Sequence, residues 1–220
     1  SGLVGSEMCI RDSYQPDMIY LSLDGQVFGS PLGAYHSAII AAAFSLGVAE
    51  PDVPTLFNRM IYARLGYPQE FGTARTLLLD DMSRFGLDMA PEFDLWHARG
   101  PFMHSINHPR GFVLADVARA AAIRAGLLPA DAPRVTPAFD HLAADTIWPV
   151  YPEIAEALGV PGGMLFKRIS QPVGPLGNTP YVSLPRLVEE SYAIYRAVPE
   201  AAFRTGAAGL ARERLEGVIG

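Results

Sequence analysis

Along this chain short apolar runs alternate with breaks at glycine and proline, and most of the runs follow helical spacing. Met18 to Leu23 is an exception. Its β-branched and aromatic content predicts a short strand, closed by the turn pair Asp24-Gly25. A Gly/Pro-punctuated loop, Gly29 to Tyr35, leads into a helix from His36 to Leu46, stopped by Gly47. Pro51 to Leu65 predicts a second helix, with Leu56, Met60 and Arg64 on one face and Phe57, Ile61 and Leu65 beside it. Gly66 closes it, and a third helix runs from about Glu70 to Phe85, ahead of Gly86.

Pro91 to Ala98 predicts a short helix, and Phe102-Met103-His104 a short strand. A polar turn from Ser105 to Pro109 precedes a long helix from about Gly111 to Ala125. Leu127 to Pro137 holds three prolines and reads as a surface connection. Tyr151 to Leu158 is a brief helix, and Ser170 to Pro180 an extended loop. Pro185 to Val198 is the last clear helix, with Pro185 in its first turn, where a missing N–H does no harm. Its stripe of Val188, Tyr192 and Tyr195 is a core face, and Ala207 to Leu215 adds a terminal helix. The expected fold is α/β: a predominantly helical single domain with a few short strands.

Composition narrows this little. Half the residues are apolar and 18% are charged, which is ordinary for a globular chain. Mean hydropathy is positive, at +0.17. Yet the longest apolar stretch, Ala38 to Phe44, is far short of the roughly 20 residues of a membrane span, so a buried helix is expected and no span. A net charge of −6 with no Lys/Arg cluster argues against a nucleic-acid partner. Lys167 is the sole lysine, so a phosphate-bearing ligand would meet mainly arginine forks and backbone N–H groups.

Residues 1–13, with the string Gly5 to Ser13, resemble the translation of a sequencing adapter, and are expected to be foreign to the protein. The native domain is then 14–220, without its own N-terminal strand. Cys9, the only cysteine, falls in the foreign part, which leaves no disulfide, thiolate metal site or cysteine nucleophile beyond it. With no targeting signal or span, a cytoplasmic location is expected.

The chemistry gathers at two loop-to-helix junctions. Ser30-Pro31-Leu32-Gly33-Ala34-Tyr35-His36-Ser37 leads onto a helix N-terminus, whose free N–H groups and dipole favour an anion. Gly33 permits close approach to the main chain, and His36 and Ser37 are expected on the first turn. A plain helix cap accounts for the same residues. At the second junction His104, Ser105, Asn107, His108 and Arg110 lie within seven positions ahead of a helix. His104 or His108 suits a general base, Asn107 its orienter or an oxyanion donor, and Arg110 a phosphate clamp. The plainer reading is a polar turn in which Asn107 bonds its own backbone ahead of Pro109. No metal is expected: Pro109 disfavours helical geometry at His108, and no acidic third ligand lies nearby in sequence. His97 and His141 read as structural.

The two junctions, with Leu56-Phe57-Asn58 to Leu65-Gly66-Tyr67 and Trp148-Pro149-Val150-Tyr151-Pro152 to Gly159, resemble WcbI-type polysaccharide-biosynthesis proteins in order and spacing, from about Tyr14 to at least Lys167. The resemblance implies a mainly helical α/β protein that takes acetyl-coenzyme A as substrate and passes the acetyl group to a sugar or polysaccharide hydroxyl in capsule biosynthesis. By position it implies that Ser30, Gly33, Tyr35, His36 and Ser37 line the site, with His104, Asn107 and His108 opposite. His36 and His108 stand as equal candidates for the base. The family opens with a strand and a Gly-Asn-Cys-like turn where this chain has adapter-like sequence, so weak ligand binding and little turnover are expected of this form. Two other readings stay open: a glycan ester hydrolase, and a non-catalytic glycan- or partner-binding module.

Overall fold

The computed structural model describes residues 14–169 and 180–219; the expected loop from Ser170 to Pro180 lies almost wholly outside them, as does Cys9. It is a helix-rich mixed α/β fold in which the described strands pair only as short two-stranded antiparallel ladders.

Strand β1 (Met18–Tyr20) stops at buried Leu21, and β2 (Ser22–Leu23) turns into β3 (Gln26–Val27). Asp24 and Gly25 both take positive φ, 50° and 81°, the turn that matches strand twist. β1 itself pairs with β4 (Tyr35–Ser37) in the register Met18↔Ser37, Ile19↔His36, Tyr20↔Tyr35. The expectation that His36 and Ser37 open the next helix is therefore corrected. They end a strand, and Ser37 is the N-cap, its hydroxyl accepting from the Ile40 N–H. Helix α1 (Ala38–Ser45) follows, with Ala38 to Ala43 buried.

The single helix expected over Pro51 to Leu65 is two pieces. A 3-10 segment (Glu50–Leu56) contains Pro54, and α2 (Arg59–Leu65) restarts behind Asn58, whose side chain accepts from the N–H groups of Met60 and Ile61. Proline removes a donor inside the helix, and asparagine caps a new start. Gly66, at φ 87°, ends α2, and α3 (Tyr67–Arg84) starts three residues before its expected place because Pro68 sits in its first turn.

After α4 (Ala90–Ala98), β5 (Met103–Ser105) and β6 (His108–Pro109) form a hairpin with an irregular register at His104. Helices α5 (Gly111–Arg124) and α6 (Pro152–Leu158) follow close to their expected places. Next come β7 (Leu165–Lys167), its partner β8 (Tyr181–Ser183), α7 (Leu184–Tyr195) and α8 (Gly206–Ile219). The core joins α1, α7 and α8 to a ring cluster of Phe44, Tyr192, Tyr195 and Phe203, and to a second cluster around Tyr14, Phe71, Trp96 and Phe102. None of the described helices is long and apolar enough to cross a membrane.

Candidate active site

The first junction already holds an anion, and it comes from the chain. Asp17, fully buried, accepts at Oδ1 from the Ile39 N–H (2.9 Å) and the Tyr67 hydroxyl (2.7 Å), and at Oδ2 from the Tyr151 hydroxyl (2.6 Å). Its carbonyl takes the Ala38 N–H (2.8 Å). The first-turn N–H groups expected to face a ligand are thus closed by Asp17 and Ser37. Burial pushes the Asp17 carboxyl up to about 6, although four hydrogen-bond donors pull it back.

His36 is 1% exposed, and both of its ring nitrogens are engaged. Nε2 lies 2.9 Å from the Phe28 carbonyl, which only an N–H can satisfy, so Nδ1 accepts from the Tyr195 hydroxyl at 3.0 Å. Burial lowers its proton affinity, so it sits neutral in the core. No ring nitrogen is left to move a proton. Ser30 is spent locally: its hydroxyl donates to the Tyr35 carbonyl (2.5 Å) and accepts from the Leu32 N–H (2.9 Å). Gly33 completes that turn at φ 79°, its carbonyl taking the Ser30 N–H (2.7 Å).

Tyr35 reaches the second junction instead. Its hydroxyl donates to Asn107 Oδ1 at 2.6 Å, and Ser105 donates to the same oxygen at 3.2 Å. Two donors on Oδ1 fix the amide so that Nδ2 points away from them, toward the Tyr20 hydroxyl at 3.4 Å. The Tyr35 ring also stands edge-on to the His108 ring at 6.2 Å.

On the β5–β6 hairpin, the irregularity at His104 turns a buried histidine toward the start of α5. There Nε2 donates to Asp140 Oδ2 at 2.9 Å, while buried Nδ1 has no partner among the described residues. Burial lowers the His104 pKa, and the Asp140 carboxylate offsets that only in part. Burial alone would raise Asp140, but His104 and the nearby N–H groups of Gly111 and Ala143 outweigh it and hold the carboxyl below the usual range. Oδ1 still makes no well-aligned hydrogen bond. Asp140 is thus the anion at the N-terminus of α5, the counterpart of Asp17 at α1.

His108 is less enclosed, its side chain 19% exposed, with Nδ1 3.8 Å from Asp145 Oδ2. That spacing is too long for a hydrogen bond, and Nδ1 has no hydrogen-bond partner among the described residues. Arg110 is exposed ahead of α5, makes no ion pair among the described residues, and is close enough to His104 to depress its pKa. Sequence reasoning missed Asp140 and Asp145, which come from a loop more than thirty residues away; the only signal was two aspartates flanking the short run His141 to Ala144. Lys167 fixes that loop, its ammonium donating to the carbonyls of Ala143, Ala144 and Asp145 at 2.7, 3.1 and 3.0 Å. Even with these carboxylates, no group of three or more His, Cys, Asp or Glu among the described residues is arranged to hold a metal. His97 packs on Phe71 and bonds the Tyr14 hydroxyl, and His141 is exposed.

A family model described as the polysaccharide biosynthesis enzyme WcbI matches residues 9–130, more than half of the chain and beginning inside the adapter-like segment. No curated protein matches the chain. One solved structure is similar in fold: a WcbI described as a novel polysaccharide biosynthesis enzyme, in its native form without a disulfide bond between coenzyme A and a cysteine. It superposes with a TM-score of 0.60 at 14% identity, over 96% of this chain and 67% of its own.

Proposed function

The chain belongs to the WcbI family of polysaccharide biosynthesis enzymes, and from that premise we propose that it is a coenzyme A-dependent acyltransferase, taking acetyl-coenzyme A and esterifying a sugar hydroxyl. The observation that carries the reading is the β5–β6 hairpin, where an accessible histidine, an oriented amide and an exposed arginine share one edge. Coenzyme A is also named with the similar WcbI structure.

In this reading His108 takes the proton of the acceptor hydroxyl as its oxygen attacks the thioester carbonyl. Asp145, near Nδ1, favours the imidazolium that forms. Asn107 Nδ2, fixed by the two hydroxyls on its oxygen and only loosely bonded to Tyr20, donates to the oxyanion. Collapse expels the coenzyme A thiolate, which takes the proton back from His108. Arg110 meets the phosphates of the donor. His104, held by Asp140, keeps the hairpin and the α5 terminus together, and Tyr35 orients Asn107; the Ser30–Gly33 turn holds the Tyr35 carbonyl, Ser37 caps α1 behind it, and His36 is fixed in the core beside it.

The test is thiol release from acetyl-coenzyme A in the presence of a panel of glycans. Slow acceptor-dependent release is expected of this form of the chain, falling about 10²–10⁴-fold further in His108→Ala, the range set by loss of a general base. Release of acetate from an acetylated glycan without any coenzyme A would instead make the chain a hydrolase.

A further inference from the structure

Asn107 and Tyr20 also line a cavity of about 550 Å³ between β1, α3 and α8, within the range of small-molecule sites. Its walls are two helical stripes. Ala74 and Leu77 of α3 face it from one side and Leu210 and Ala211 of α8 from the other, over a floor of Met18 and Ile19. The spacing is what one helix face requires: positions 70, 73, 74 and 77 on α3, and 207, 210, 211 and 214 on α8. Leu77 and Leu210 remain 53% and 48% exposed, so this apolar surface is not closed by the described residues themselves.

An acetyl group carries a single methyl and uses little of such a space. We propose that the cavity holds an aliphatic chain on the acyl group of the donor, so that this protein accepts acyl groups well beyond acetyl, the short limit of its range. The inference rests on the acyl-transfer reading for the identity of the chain's carrier, since Asn107 is shared between the proposed oxyanion position and the cavity wall. The charged Glu70 and Arg214 complete the lining.

The probe is sodium octanoate, titrated calorimetrically into the 220-residue chain, with hexanoate alongside. Saturable octanoate binding is expected, roughly tenfold tighter than hexanoate, because each buried methylene tightens binding about fourfold when fully covered. Leu77→Glu and Leu210→Glu, exposed positions that the fold tolerates, are expected to weaken octanoate binding at least tenfold with an unchanged melting temperature. His108→Ala is expected to leave it as it was. No octanoate binding, affinity indifferent to chain length, or binding untouched by both glutamates overturns the proposal. Acetyl transfer without octanoate binding removes the chain site and leaves the transferase reading standing. Octanoate binding with no transfer from any acyl-coenzyme A keeps the site and removes its assignment to an acyl donor.

Discussion

Asp17 shows how much a single side chain decides in this fold. It caps α1, anchors two tyrosines and sits beneath the apolar core without a cationic partner within hydrogen-bond reach. Because its folded pKa is raised from 3.8 to about 6, the fold favours the protonated carboxyl. The associated stability is complete below about 3.8 and is lost as pH rises through about 6. That loss amounts to roughly 3 kcal/mol, at about 1.4 kcal/mol per unit. Asp17→Asn keeps an acceptor for Ile39 and Tyr67 and lets the Tyr151 hydroxyl accept instead. Denaturant melts between pH 4 and 7 should therefore show the native protein losing roughly 2–3 kcal/mol relative to the Asn variant; a constant difference would contradict the assignment. Asp17 was nearly illegible in the sequence. It belongs to no motif, and its one signal is an acid placed directly before a short apolar strand whose first two residues are buried. His36 was legible as special but not in kind, since the two groups that engage it come from Phe28 and from Tyr195, 159 positions away.

At the scale of elements, glycine and proline carried most of the reading. Helices α1, α4, α5 and α6 fall within two residues or so of their expected ends because their stops are local. The helix over Pro51 to Leu65 was misread for an equally local reason: Pro54 and Asn58 outweigh an apolar spacing that runs through both. The partners β3, β4, β6, β7 and β8 were not foreseen, because strands of two or three residues leave no periodicity to read. Nor was the tie of the Leu127 to Pro137 connection, which Arg134 binds to Glu92 and to buried Asp116. The element that matters most for the proposed chemistry is the loop carrying Asp140 and Asp145, and Lys167 is its clamp. Lys167→Met removes three donors from three carbonyls and frees both carboxylates to drift. It is expected to lower kcat about tenfold with KM little changed, and to cost about 1–3 kcal/mol of stability, the scale of hydrogen bonds to a charged group. Arginine at this position should restore part of both. A KM effect alone would place Lys167 in substrate binding instead.

For the whole molecule, the two loop-to-helix junctions turn out to be one structure. Tyr35 from the first holds Asn107 from the second, and each helix start is neutralised from within, by Asp17 at α1 and Asp140 at α5. The sequence pointed to both junctions and to an anion at each, but not to the fact that the chain supplies both anions itself. What remains open to a ligand is the edge with His108, Asn107 and Arg110, and the apolar cavity beside it. The most direct test of that account is a calorimetric titration of coenzyme A into the 220-residue chain and its Arg110→Ala variant. Saturable binding is predicted, weakened about tenfold or more by loss of the guanidinium, in keeping with hydrogen bonds to a charged group. A folded protein that does not bind coenzyme A, or one whose affinity is indifferent to Arg110, would contradict it.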